Sequence, residues 1–333
     1  MKKIMDVELQ FKYLFKPAWW LRNPHLQTLW PTLFRRKQKI GIHPERLELD
    51  DGDFLDLSWV GKGDGPIVLV LHGLNGNVDS SYANAILHTI QLMRWRGVLM
   101  HFRGCSGVPN RLARNYHGGE TEDLLTVIQI IRRREPTTPI YLIGYSLGGN
   151  VLLKALGEGK IKDYIKAAIA VSVPFELNKT ADYMRYGFKR IYQKHLVRGM
   201  IKSIRKKIKQ VLTSIDIQNL DKCSTFWEFD DAITAPLHGF KNATEYYSQS
   251  SCRQYLKQIQ TPTLILHAKD DPFTPVDALP QTFELSNYVQ FELSVNGGHV
   301  GFITGKIPLR PIYWLENRIM DYLKMCHTHN ILS

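Results

Sequence analysis

The chain has 333 residues, with 43 lysines and arginines against 31 aspartates and glutamates, so its formal net charge is +12. Its hydrophobic fraction of 44% and charged fraction of 22% are ordinary for a globular protein and exclude a disordered or collagen-like chain. A chain of this length buries about three quarters of its unfolded surface, so its core requires no disulfide or metal. The longest apolar runs, residues 67–71 and 167–173, are much shorter than the ~20 residues of a membrane-spanning helix, which excludes a transmembrane protein.

The four cysteines, Cys105, Cys223, Cys252 and Cys326, lie far apart and form no Cys-x-x-Cys pair. Neither a metal site nor a redox motif is therefore expected. The N-terminal residues include lysines but no sustained apolar stretch behind them, so they do not resemble a secretory signal. We expect reduced thiols and a cytoplasmic protein.

Strands and helices are predicted to alternate after an aromatic-rich N-terminal extension, residues 1–44. Strands at 45–49 and 54–60 flank an Asp-Gly turn, and the apolar run 67–71 is typical of a parallel strand buried on both faces. The other predicted strands are 98–102, 140–143, 167–173, 263–267 and 288–293, and the predicted helices are 82–94, 120–134, 147–156 and 311–325. This alternation predicts one α/β domain, formed by residues 45–173 and 259–333, with a mostly parallel sheet flanked by helices.

Residues 140–150 have the pattern of a strand, a sharp turn and a helix, with Ser146 between Gly144 and Gly148. Gly-x-Ser-x-Gly in this context is typical of a nucleophile elbow, in which the serine lies at the tip of a strained turn. The competing interpretation is a glycine-rich helix start with Ser146 as its N-cap. The buried strand before the turn and the helix after it favour the nucleophile.

A serine nucleophile needs a base, and the base needs an orienting acid. In this kind of fold the order along the chain is serine, acid, histidine. His299 lies in a glycine-rich loop between the last strand and the last helix, so we predict that it is the base. Asp271 is the predicted acid because it precedes Pro275 by four residues, as the acid of this fold commonly does. The alternative acid is Asp270, which otherwise has the turn-forming role common for aspartate.

Two backbone N–H groups are predicted to form an oxyanion hole. One belongs to Leu147, the residue after the nucleophile, and the other to Leu74, in the loop that follows strand 67–71. His72 begins that loop but precedes the nucleophile, so we expect it to orient the loop instead of acting as the base.

These segments together resemble the YheT-like family of α/β-hydrolases, whose animal relatives are the alpha/beta hydrolase domain-containing proteins one to three. The resemblance spans residues 23–302 and implies an α/β-hydrolase fold, serine ester hydrolysis of acyl esters or lipids, and no metal or organic cofactor. Besides the serine elbow, the segments that carry it are NPHLQT at 23–28, HGL at 72–74, FRGCSG at 102–107, YHGGETED at 116–123, DDP at 270–272 and GGHVGF at 297–302. Arg103 and His117 lie in two of these segments, and we expect structural roles for both.

Residues 174–258 form an insertion too long for a simple connection, and in this fold such an insertion covers the active site as a helical lid. Its stretch 188–212 carries nine basic residues and no acid, with apolar residues at roughly helical spacing. We expect either a solvated basic face or peripheral contact with an anionic membrane. Such contact would be at the inner face of the cell membrane. No recognition motif supports nucleic acid. The basic residues are Lys189, Arg190, Lys194, Arg198, Lys202, Arg205, Lys206, Lys207 and Lys209.

The sequence therefore predicts a serine hydrolase of short- to medium-chain acyl esters or of lipid esters such as monoacylglycerols. Thioesterase and amidase activities would use the same residues. From another class, a non-catalytic lipid-binding protein that has kept the fold is the alternative, and the presence of Ser146, Asp271 and His299 argues against it.

Overall fold

The strands of the computed structural model, which describes residues 15–207 and 220–332, form one large sheet and a small two-stranded ribbon. The large sheet has eight strands in the order β1-β2-β4-β3-β5-β6-β7-β8. Strands β2 and β4 pair antiparallel, as do β1 and β2, and every pairing from β4 to β8 is parallel. The strands are β1 (His43–Glu48), β2 (Phe54–Val60), β3 (Ile67–Leu71), β4 (Arg96–Met100), β5 (Ile140–Tyr145), β6 (Ile165–Val171), β7 (Thr263–Ala268) and β8 (Val289–Ser294), and the ribbon pairs β9 (Ile303–Thr304) with β10 (Ile312–Tyr313).

Helices cover both faces of this sheet, which confirms the predicted fold class. Alternate side chains of β3 point to opposite faces of the sheet. Leu69 lies in the apolar cluster under helices Glu122–Arg134 and Leu147–Gly157, and Val68 lies in the cluster under helices Ser81–Leu92 and Trp314–Leu332. The core helices are α2 (Ser81–Leu92), α3 (Glu122–Arg134), α4 (Leu147–Gly157) and α10 (Trp314–Leu332), and α1 (Pro24–Phe34) precedes the sheet.

Two strands begin and end two residues earlier than the sequence suggests. Strand β4 pairs with β3 from Arg96 onward, and the N–H of Phe102 donates to His72 instead of to a strand. Strand β6 ends before Ser172, whose φ of +52° interrupts an extended backbone. The last helix also starts late, at Trp314, because the preceding residues form β10.

One long helix, Lys189–Lys206, and several short helices lie in the segment between β6 and β7. They are α5 (Leu177–Tyr183), α6 (Lys189–Lys206), α7 (Phe226–Phe229), α8 (Ala235–Leu237) and α9 (Ala243–Ser250), and a π-helical turn, Asp230–Thr234, separates α7 from α8. No helix within 15–207 or 220–332 is long and apolar enough to cross a membrane.

Candidate active site

Ser146 lies in the tight turn between β5 and α4, with φ of +52° and ψ of −120°. The turn requires glycine on both sides, because a Cβ on Gly144 would lie 2.5 Å from the Gly148 carbonyl oxygen, and a Cβ on Gly148 would lie 2.5 Å from that of His72. The strained turn exposes the serine hydroxyl at the end of β5, as in a nucleophile elbow.

A chain of two hydrogen bonds joins Ser146, His299 and Asp271. The Ser146 Oγ lies 2.9 Å from His299 Nε2, and His299 Nδ1 lies 2.9 Å from the Asp271 Oδ2. A single neutral tautomer satisfies both contacts: Nδ1–H donates to the buried carboxylate, and Nε2 accepts the serine proton. This arrangement can turn the hydroxyl into a nucleophile.

The neighbouring aspartate, Asp270, faces away from the imidazole and holds the loop that carries it. Its carboxylate accepts the Gly298 N–H at 2.9 Å and the Asn296 side-chain amide at 3.2 Å. Burial, together with the Asp271 charge, raises the pKa of Asp270. Of the two predicted acids, the structure therefore brings Asp271 to His299.

Leu74 and Leu147 line the same cavity as Ser146, and their backbone N–H groups donate to no acceptor within the described residues. His72 fixes the loop of Leu74, since its Nδ1–H donates to the Gly73 carbonyl at 2.7 Å and its Nε2 accepts the Phe102 N–H at 3.1 Å. Burial lowers the pKa of His72 to about 3, so it stays neutral. Gly73 packs on Ser146, because a Cβ there would lie 3.2 Å from the Ser146 Cβ.

Three contacts around His299 were not predicted from the sequence. The hydroxyl of Thr28, on α1, accepts the His299 N–H at 2.9 Å and donates to the Pro24 carbonyl at 2.7 Å. The hydroxyl of Ser172 accepts the next backbone N–H, that of Val300, at 3.0 Å. The Phe273 ring stacks on the imidazole at 4.1 Å between centroids. The segment 23–28 was recognised only as a motif, and nothing in its pattern indicated this contact.

Arg103 and His117 have buried structural contacts. The Arg103 guanidinium makes a bidentate salt bridge with the Asp123 carboxylate, with N···O distances of 2.8 and 2.7 Å, and also donates to Asp51 and Asp53. The ring of His117 accepts the Gly119 N–H at 3.1 Å, and burial lowers its pKa to about 3. Both contact sets fix loops, in line with the expected structural roles.

A mostly apolar cavity of about 350 Å³ opens beside Ser146. Its walls include residues of α1, the Leu74 loop and helices α5, α6, α7 and α9. The apolar lining residues include Leu29, Leu177, Met184, Leu196, Met200 and Phe226. No group of three His, Cys, Asp or Glu side chains in the described parts of the chain is placed to hold a metal.

Sequence comparison now assigns the family, because the profile of the alpha/beta hydrolase fold matches residues 66–306. The chain belongs to the α/β-hydrolase fold family. Within it, the chain is 42% identical to YheT of Escherichia coli, which is named as an esterase, over 93% of this chain and 92% of that protein. This similarity confirms the resemblance to the YheT-like family.

A second relative is the monoacylglycerol lipase of Saccharomyces cerevisiae, which is 30% identical over 79% of this chain and 60% of its own. Among solved structures, an esterase of Pyrococcus furiosus, Pf2001, superposes with a TM-score of 0.58 over 87% of this chain and 92% of that one. At 17% identity this likeness supports the α/β-hydrolase fold and nothing finer.

Proposed function

We propose that this carboxylic ester hydrolase cleaves short- to medium-chain acyl esters, or lipid esters such as monoacylglycerols, through an acyl-enzyme on Ser146. The observation that carries the proposal is the hydrogen-bonded chain from the Ser146 hydroxyl through His299 to the buried Asp271 carboxylate. The apolar cavity beside Ser146 suits an acyl chain, and the yeast relative's name adds the lipid class.

In the proposed first half-reaction, His299 Nε2 takes the proton of Ser146 as its oxygen attacks the ester carbonyl carbon. The N–H groups of Leu74 and Leu147 bind the oxyanion, and Asp271 stabilises the imidazolium. The imidazolium then gives its proton to the leaving alcohol as the ester bond breaks. In the second half, water gives a proton to His299 and attacks the acyl carbon, which releases the acid and restores Ser146.

We also assign helices α5–α9, within residues 174–258, the role of a lid over the core. Leu177, Met184, Leu196 and Phe226 of this segment border the cavity that contains Ser146. Access of a substrate to the nucleophile would therefore depend on their packing, and their side chains would set the preferred acyl length.

The substitution Ser146→Ala tests the mechanism. It removes the nucleophile, so hydrolysis of p-nitrophenyl butyrate and labelling by a fluorophosphonate probe should both be lost, while circular dichroism stays unchanged. Ser248→Ala, on the exposed surface of α9, is the matched control and should keep both. If the Ser146→Ala protein kept more than a trace of the wild-type turnover, the proposed triad would be refuted.

Absence of labelling in the wild type would favour the non-catalytic lipid-binding alternative, because the probe requires an activated serine. A comparison of butyryl ester, thioester and amide on the wild type separates the esterase from the thioesterase and amidase alternatives.

We propose, further, that the protein contacts anionic membranes through α6, mainly by charge. Val197, Ile201 and Ile204 are buried against the protein, so most of the apolar face of this helix is not free to enter lipid. Ile191, near the start of the helix, is exposed. Lys207 is buried too, where it donates to the Arg114 carbonyl and burial lowers its pKa to about 8. The apolar residues noted at helical spacing in the sequence therefore pack mainly against the protein. Lys209 lies outside the described residues.

A stripe of exposed cations at every fourth position remains on the outer face of α6. Each adds about 1 kcal/mol near an anionic surface, and the contribution fades within a Debye length. Binding should therefore need anionic lipid and weaken with salt. The stripe consists of Arg190, Lys194, Arg198, Lys202 and Lys206.

Vesicle co-sedimentation at low and high salt measures this association. The triple variant Lys194→Gln, Arg198→Gln and Lys202→Gln should lose most binding to phosphatidylserine vesicles. A control of equal charge removes three exposed cations elsewhere, Arg22, Lys62 and Lys166, and should bind like the wild type. Equal losses in both variants, or no binding by the wild type, would contradict the proposal.

A further inference from the structure

One polar residue, Thr180, lies among the apolar residues with which α5 lines the cavity. Leu177, Thr180, Ala181 and Met184 follow one another at helical spacing along the cavity wall. Thr180 is only 9% exposed, and its hydroxyl has no hydrogen-bond partner among the described residues. A helical threonine commonly donates to the carbonyl four residues back, here that of Glu176, and Thr180 does not. A buried hydroxyl left unpaired costs free energy, and because Thr180 borders the cavity, a ligand bound there would supply the missing partner.

Asp230 supplies a second polar group to the same cavity. It is 5% exposed and begins the π-helical turn, a feature that frequently lies at functional sites. Its carboxylate accepts the hydroxyl of Thr234 at 2.6 Å and that of Tyr247 at 2.7 Å, and no cationic group pairs with it within 15–207 or 220–332. Burial raises its pKa to about 6, so at neutral pH it is mostly an acceptor of hydrogen bonds. Each carboxylate oxygen accepts one of these hydrogen bonds and has the capacity to accept another.

We propose that Thr180 and Asp230 form a polar subsite within the cavity that binds a hydroxyl group of the substrate. The inference rests on the proposed ester hydrolysis at Ser146. A hydroxyl fits both partners, because it donates to the Asp230 carboxylate and accepts from, or donates to, the Thr180 hydroxyl. A carboxylate or phosphate on the substrate would be repelled by Asp230, and a plain alkyl chain would leave both groups unpaired. The hydroxyl has two chemical sources, a hydroxylated acyl chain or the free hydroxyls of a glycerol monoester.

Non-cleavable ligands test the subsite independently of turnover. Isothermal titration calorimetry would compare octyl methyl ether with 1-O-octylglycerol, which carries polyol hydroxyls, and with ω-hydroxyoctyl methyl ether, which carries a chain hydroxyl. One hydrogen bond should favour at least one hydroxylated ligand by about 3- to 10-fold in Kd. A preference for the glycerol ether assigns the subsite to the alcohol part of the substrate, and a preference for the other ether assigns it to the acyl chain. Equal affinity for all three ligands overturns the proposal, whereas failure of the proposed hydrolysis would leave these affinities unchanged.

The variant Thr180→Val should abolish that preference and leave the Kd of octyl methyl ether unchanged, because the lost hydroxyl has no partner in the protein. The control is Thr261→Val: Thr261 is 3% exposed, its hydroxyl is likewise unpartnered, and it does not border the cavity. A second variant, Asp230→Asn, keeps the side-chain shape and should also reduce the preference. A hydroxyl preference that survives both Thr180→Val and Asp230→Asn would place recognition elsewhere and overturn the assignment.

Discussion

The adjacent residues Asp270 and Asp271 accept hydrogen bonds from different groups. Asp271 accepts from the His299 imidazole, whereas Asp270 accepts from the backbone and side chain of the loop around it. We expect Asp271→Asn to lower kcat for p-nitrophenyl butyrate by about 10⁴-fold, since an amide favours the wrong histidine tautomer. Asp270→Asn retains a side-chain oxygen for the Gly298 N–H and should cost far less. The reverse ranking would move the role of the acid to Asp270.

Sequence reasoning places Ser146 and His299 because their surroundings are local: a strand, a glycine turn and a helix for one, a glycine-rich loop after the last strand for the other. For the acid it prefers Asp271 but keeps Asp270 as an alternative. Adjacent side chains in a turn point in different directions, and those directions depend on how the loop folds. The Thr28 contact lies 271 residues from His299 along the chain, so no local pattern contains it. Thr180 looks like any helical threonine until the cavity beside it is known.

The first helix acts as a brace for the loop that carries His299. Besides the Thr28 contact, a Cβ on Gly298 would lie 2.6 Å from the Pro24 carbonyl, so helix and loop are in close contact. Thr28→Val should lower kcat more than it changes KM, because the His299 N–H loses its acceptor and the imidazole its position. Thr28→Ser retains the oxygen and should restore turnover.

The control for this prediction is Thr126→Val on α3. Thr126 donates to the carbonyl four residues back, at 2.9 Å, as Thr28 does, but contacts no catalytic loop. Equal effects of Thr28→Val and Thr126→Val on kcat would show that only helix stability had changed.

Helix α6 shows where periodicity is insufficient at the scale of an element. Its apolar spacing correctly indicates a helix with one apolar face, and the structure gives Lys189–Lys206. The pattern cannot say whether that face meets lipid or protein, because both environments are apolar. Ile191 is exposed. The burial of Val197, Ile201 and Ile204 nevertheless shows that most of this face contacts protein.

In the whole molecule, buried neutral histidines link stability to pH. Burial is the main cause that lowers the pKa of His72, His117 and His238 to about 3 and that of His267 to about 4, from an ordinary value of 6.5. Between pH 6.5 and 4 the unfolded chain therefore binds protons at these positions that the folded chain does not. Asp230 opposes them, because its raised pKa of about 6 makes the folded state bind a proton first. The raised pKa values of Asp123 and Asp270 act in the same sense as that of Asp230, whereas the lowered pKa values of His25 and His101 add to the effect of the four histidines. Six histidines outweigh three carboxyls, so acid should destabilise the fold.

Each net proton changes the free energy of unfolding by about 1.4 kcal/mol per pH unit. Urea unfolding should therefore show full stability above pH 6.5 and a steady loss as the pH falls from 6.5 to 5. Replacing one of these histidines, as in His238→Gln, should lower the slope of unfolding free energy against pH by about one proton, because the glutamine titrates in neither the folded nor the unfolded state. The control is the substitution of an exposed histidine, His43→Gln, which should leave the slope unchanged. A stability that is flat between pH 7 and 5 would mean that these six rings take up protons in the folded protein as readily as in the unfolded chain.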